Sequence, residues 1–201
     1  MTCKLSLLLL GTILPLSVLN ATEEGEADKS PIRLGIEYLY PEDKSRDIKT
    51  ANLNVFSRIK AFETISLSIY AGLTASYASG DITQLEGDLN EGTLREVTYQ
   101  NKAFGIGPGI LADLRLWQGN KVSLHLDGSG SILFYNKAFP AGGDRYNFMW
   151  RGGPVVRYAI RNDLEIALGY RWMHLSNGQG AGSQNPSYDA QGVNLQYSIL
   201  F

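Results

Sequence analysis

The chain has 201 residues, a formal net charge of −2 and a single cysteine. That length fits one domain, and a charge so near zero gives no reason to expect nucleic acid as a partner. One cysteine excludes an internal disulfide framework and a thiolate metal site.

In chain order, residues 1–21 come first. Lys4 is a short basic stretch, Leu5 to Leu19 are apolar, Ala21 is a small residue for cleavage, and Glu23, Glu24 and Glu26 follow. This is the pattern of a secretory signal peptide. The apolar run is about 15 residues, short of the roughly 20 that a helical span needs. The cysteine, Cys3, lies inside this leader and too early for lipid attachment. Residues 22–31 form an N-terminal segment, and 32–201 form the folded unit.

From residue 32 onward the pattern has a period of two, which is strand periodicity. Segment one places Ile32, Leu34, Ile36, Tyr38 and Tyr40 on one face and Arg33, Gly35, Glu37 and Leu39 on the other. Segment two sets Leu53, Val55, Ser57 and Ile59 against Asn52, Asn54, Arg58 and Lys60. In segment three, Ile65, Leu67, Ile69, Ala71, Leu73 and Tyr77 oppose Ser66, Ser68, Tyr70 and Thr74. Segment four has Phe104, Ile106, Ile110, Leu114 and Leu116 against Gly105, Gly107, Asp113 and Arg115. The same alternation runs through segments five (Val122 to Phe134), six (Tyr146 to Tyr158), seven (Leu164 to Trp172) and eight (Val193 to Phe201).

The apolar faces of these eight segments carry no charge, whereas Arg33, Glu37, Asp113, Arg115, Asp127, Glu165 and Arg171 share the other parity. A soluble barrel has an apolar inside and a polar outside. The inverted arrangement predicts an all-β, eight-stranded antiparallel transmembrane β-barrel, with its charges paired in a narrow filled lumen. Connections are expected to be short near 61–63, 118–121 and 160–163 and long at 41–50, 78–101, 135–144 and 177–188, matching periplasmic turns and external loops. The final apolar alternation ending at Phe201 is similar to the C-terminal signal of outer-membrane barrels. Pro108 and Pro154 lie inside strands and lack ladder N–H groups, so bulges are expected there. His125, of inward parity, is expected to join Asp127 in a lumen network.

Past Trp172 the chain reads Met173, His174, Leu175, Ser176, Asn177, Gly178. The parity of segment seven turns His174 and Ser176 outward, and that of segment eight does the same for Asp189. Ionisable side chains facing lipid are costly and mark function. Residues two apart on a strand have Cβ atoms roughly 6.5–7 Å apart, a gap an imidazole can bridge. A hairpin pairing 174 with 189 would complete a Ser–His–acid triad: nucleophile Ser176, base His174, orienting acid Asp189. Asn177 and the amides of the Gly178 turn could stabilise the oxyanion.

The stretch Trp172 to Tyr197, HLSNGQG followed by NPSYDAQGVNLQY, resembles the lipid A 3-O-deacylase family of outer-membrane enzymes. The resemblance implies that His174 is the base, Ser176 the nucleophile and Asp189 the acid, with Asn177 and Asn185 serving the oxyanion and substrate. The sequence departs from the family pattern in having Asp where Glu is more familiar, and in a loop one residue longer between His174 and Asn185. It further implies a lipid A (lipopolysaccharide) substrate, cleaved at the ester of the 3-hydroxyacyl chain at position 3. The site would lie in the outer leaflet of a Gram-negative outer membrane and need no metal or cofactor. The acidic residues of 78–101 read as a solvated loop. A homodimer stays open. The alternatives are a non-enzymatic adhesin or structural barrel, and an acyltransferase acting on lipid A.

Overall fold

The computed structural model describes residues 31–88, 92–178 and 186–200. The expected signal peptide lies outside them, as do Asn185 and Phe201. The described residues form strands β1 (Pro31–Pro41), β2 (Arg46–Phe62), β3 (Leu67–Glu86), β4 (Arg95–Gln118), β5 (Val122–Tyr135), β6 (Tyr146–Arg161), β7 (Leu164–Ser176) and β8 (Tyr188–Leu200). They pair in chain order and close β8 onto β1, so no sheet edge is left. No helix among the described residues is long and apolar enough to cross a membrane; the strands supply the spans.

The parity expected for all eight strands holds. Leu34, Ile36, Leu53, Leu73, Ile110, Leu126, Trp150, Leu168 and Leu195 stand on the outer surface, while Arg33, Glu37, Asn54, Asp113, Asp127, Arg151, Arg157 and Arg171 are buried inside. The lumen charges are paired. Arg33 and Arg157 meet Asp113, Arg151 meets Glu37 at 2.9 Å, and Arg171 bridges Glu37 at 3.3 Å and Asp127 at 2.9 Å. Pairing is what makes charges tolerable out of water.

Several boundary expectations need correction. Arg115 keeps the inward parity, opposite His125, but lies exposed at the short-turn mouth of the lumen, just before the bulge between Arg115 and Trp117. Ile65 belongs to a 3-10 turn, Glu63–Ile65, closed by Ser66 in the left-handed region, and not to β3. The outer connections at 41–50 and 78–101 are mostly strand, because β2 starts at Arg46 and β3 and β4 pair continuously from Leu67↔Leu114 to Glu86↔Arg95. These strand ends read as loop because Asp47, Lys49 and Lys102 put charge on the outward parity, which is affordable only above the membrane. His125 bonds to Asp113 and Ser123 rather than to Asp127.

Neither Pro108 nor Pro154 makes a bulge. The β4–β5 register is the same on either side of Pro108, from Ile106↔Phe134 to Gly109↔Ser131, and the β6–β7 register is likewise unshifted across Pro154. Each proline simply interrupts one ladder on the side its N–H would have faced, while its other ladder runs on. The register shifts occur instead at Arg58/Lys60, Arg115/Trp117 and Ala159/Arg161, all near the short turns.

The lumen is polar only in part. Its long-loop end is an apolar core in which Leu39, Ile48, Leu133, Phe139, Met149, Met173, Leu175 and Tyr188 pack together. Phe139 enters from the β5–β6 connection and stacks near the rings of Tyr135 and Tyr188 at 4.6 and 6.0 Å. This plug braces the ends of β7 and β8 from within.

Candidate active site

Met173 and Leu175 are 3% and 0% exposed in the apolar plug. Because a strand alternates its faces, anchoring those two residues inside fixes His174 and Ser176 outside. The same logic holds on β8, where buried Tyr188 and Ala190 flank outward Asp189. The pairing His174↔Asp189 is direct, and His174 Nδ1 lies 2.7 Å from Asp189 Oδ1. A carboxylate on Nδ1 makes that nitrogen the N–H donor and leaves Nε2 with its lone pair free to act as a base.

Ser176 ends β7 on the same face as His174, half-buried and opposite Phe148 of β6. Gly178 follows at φ +68, in the left-handed region where glycine carries no Cβ penalty. Asn177 sits differently from the other expected site residues. Its side chain is buried on the inward parity and its Nδ2 donates to Asp144 Oδ2 at 3.2 Å, so its carboxamide does not share the outward face of Ser176.

Two neighbours come from outside the hairpin of β7 and β8. Trp150 of β6 lies directly across from His174, and Glu42, in the β1–β2 turn, donates its amide N–H to the Asp189 carbonyl at 3.1 Å. With Trp172, Met173, His174 and Asp189 they line a shallow hollow on the outer surface. Glu42 is placed by Asp43, whose carboxylate accepts from the Ser45 amide and hydroxyl at 2.8 Å each, holding its carboxyl below the usual carboxylate range. Parity alone marks Trp150 as outward; its contact with the site depends on the β6–β7 register, and that of Glu42 on barrel closure.

The hollow continues along the barrel wall. Ala112, Gly128 and Gly152 face outward in one row across β4, β5 and β6, and the row ends at Trp172. A groove lined by these residues and by Leu114 and Leu126 shares Gly152 and Trp172 with the hollow at His174. Small side chains between leucines leave a trough of acyl-chain character, running from the site toward the short-turn side. Tyr170 borders it, edge-on to Trp172 at 4.9 Å and donating to Gln191 at 2.5 Å.

Comparison with known proteins places this arrangement. A family model described as lipid A 3-O-deacylase (PagL) matches residues 51–198, well over half of the chain. Among solved structures, the outer membrane enzyme PagL is similar at 13% identity, covering 84% of this chain and 99% of that one, with a TM-score of 0.52. Neisserial surface protein A matches at 12% identity over 86% of this chain and 97% of its own, with a TM-score of 0.47. No curated protein sequence matches the chain. None of these findings supports a homodimer. The barrel is an outer-membrane protein.

Proposed function

The chain belongs to the lipid A 3-O-deacylase family, and on that premise we propose that it hydrolyses the ester of the 3-hydroxyacyl chain at position 3 of lipid A in the outer leaflet. The observation that carries this reading is the 2.7 Å imidazole–carboxylate contact between His174 and Asp189 on the outward face of β7 and β8, in a hollow flanked by Trp150 and Trp172. Ionisable groups on the outward face of a membrane barrel are rare and mark function.

Substrate enters laterally, with the sugar at the headgroup level and the acyl chain in the groove past Trp172. His174 Nε2 takes the proton of Ser176 Oγ as that oxygen bonds to the ester carbonyl carbon. The tetrahedral oxyanion is stabilised by amide N–H groups at the Gly178 turn and by Asn185 from the last external loop. On collapse the bond to the sugar oxygen breaks, and the imidazolium returns its proton to that oxygen. Water then attacks the acyl-serine, again losing a proton through His174, and releases the fatty acid. Asp189 holds the imidazole tautomer and offsets the imidazolium charge at each proton transfer.

The test is mass spectrometry of lipid A from outer membranes carrying the wild type or Ser176→Ala. Loss of one 3-hydroxyacyl chain with the wild type alone is expected, with free fatty acid as co-product. Unchanged lipid A in both, with both proteins inserted and folded, removes the substrate. Appearance of the chain on another lipid indicates acyl transfer.

A further inference from the structure

The lumen holds a second set of the same three residue types. On β5, Ser123 and His125 are two apart and point inward. Ser123 Oγ lies 2.9 Å from His125 Nε2, and His125 Nδ1 lies 2.7 Å from Asp113 Oδ1 on β4. Hydroxyl on one ring nitrogen and carboxylate on the other is the order that activates a serine. Asp113 is fixed by Arg33 and Arg157, which both meet its other oxygen.

This set opens onto space. A vestibule of about 450 Å³ is lined by Ser123, His125, Asp113, Arg33, Arg157 and Tyr70, among others. It lies at the short-turn end, the periplasmic side, since Phe62, Glu63 and Gln118 form its rim. The volume suits a small ligand. Arg157 stands directly across from Ser123 on β6, which puts the two Cβ atoms about 4.5–5.5 Å apart. Arg157 is 1% and Arg33 6% exposed, yet Nε and Nη1 of each have no hydrogen-bond partner among the described residues. What sets this network apart from the other ion pairs of the lumen is the cavity beside its serine, which Arg33 and Arg157 line with positive charge.

We propose that the periplasmic vestibule is a second serine-hydrolase site, with Ser123 as nucleophile and His125 as base, acting on a short acyl ester that carries an anionic group. Asp113 is the positioning residue, and the positive charge of Arg157 and Arg33 on the vestibule wall attracts the anionic group. His125 Nε2 accepts the Ser123 proton while Oγ bonds to the acyl carbon; the proton passes to the departing alkoxide as its C–O bond breaks. Water hydrolyses the acyl-serine by the reverse proton path, giving carboxylic acid and alcohol. The site is independent of the one at His174, which faces lipid on the opposite side of the wall.

The experiment uses the full barrel, folded in detergent, carrying Ser176→Ala to silence the outer serine. A fluorophosphonate is reacted with it and the adduct mapped by peptide mass spectrometry. Hydrolysis of 4-acetoxybenzoate and of its neutral methyl ester is measured in parallel, with and without Ser123→Ala. The expected result is an adduct on Ser123, preference for the carboxylate-bearing ester, and a fall of at least about 100-fold when Ser123 is replaced. Arg157→Gln is expected to raise KM for the charged ester and not for the neutral one. Should Ser123→Ala fail to give the heat-modifiable folded band, His125→Gln takes its place. No adduct at Ser123, or an adduct without Ser123-dependent turnover, overturns the proposal.

Discussion

His174 and Asp189 face each other directly across β7 and β8, joined through Nδ1 and Oδ1 at 2.7 Å, and each is flanked along its own strand by residues buried in the apolar plug. The imidazole is thereby held from outside by the carboxylate while its strand is held from inside by Met173 and Leu175. Replacing Asp189 by Asn keeps the shape but makes a side-chain donor available to Nδ1, which favours the wrong tautomer. The expected outcome is a loss of at least about 100-fold in kcat for lipid A deacylation with little change in KM. Asp189→Glu, which restores the charge one methylene further out, is expected to recover part of that loss. Time courses of deacylated lipid A by mass spectrometry measure both.

The proposed roles of Ser176 and His174 make their effects non-additive. Once either is gone the other has no proton transfer to perform, so Ser176→Ala, His174→Ala and the double variant should show nearly equal residual rates. Rates that multiply in the double variant would show two separate contributions and remove the triad.

Strand parity made the barrel and the lipid-facing placement of His174, Ser176 and Asp189 legible in the sequence, because a period of two assigns each residue a face without knowing its neighbours. What lay beyond reach needed register or closure. Trp150 abuts His174 only because β6 pairs at that offset, and Glu42 reaches Asp189 only because β1 closes on β8. The apolar plug was also hidden, since Leu39, Leu133, Met149 and Leu175 occupy the parity that elsewhere carries charge, and only their common height in the barrel reveals a core. Extended β3 and β4 ends were obscured by outward charges that water, not lipid, solvates. Pairing of His125 with Asp113 crosses to β4, while its sequence neighbour Asp127 is drawn to Arg157 and Arg171.

The groove past Trp172 predicts a change in substrate use. A Cβ at Gly128 would meet nothing within 4 Å, so Gly128→Leu should fold normally and fill the trough between Leu126 and Gly152. Hydrolysis of lipid A, with its long acyl chain, is expected to fall by roughly tenfold, since a displaced chain forfeits a kcal/mol or two of apolar contact. Turnover of a two-carbon nitrophenyl ester should stay within about twofold. Equal losses on both substrates would place the acyl chain elsewhere.

Barrel stability should depend on Glu37 more than on any single lipid-facing leucine. Glu37 accepts from Arg151 Nη1 and Asn52 Nδ2 at 2.9 Å each and lies 3.3 Å from Arg171 Nε. The Nη1 and Nη2 of Arg151 also donate to Asn54, Thr74 and Ser131, which are neutral, so Glu37 is the anion that offsets its charge. Glu37→Ala strands a guanidinium in the lumen, which costs about 3–5 kcal/mol for a broken buried pair. Glu37→Gln keeps acceptor and size and is expected to cost less. The urea midpoint of the folded gel band reads the loss. Deacylation by the fraction that remains folded should be within about twofold of wild type, because the plug around Met173 and Leu175 holds β7 at the site independently of Glu37.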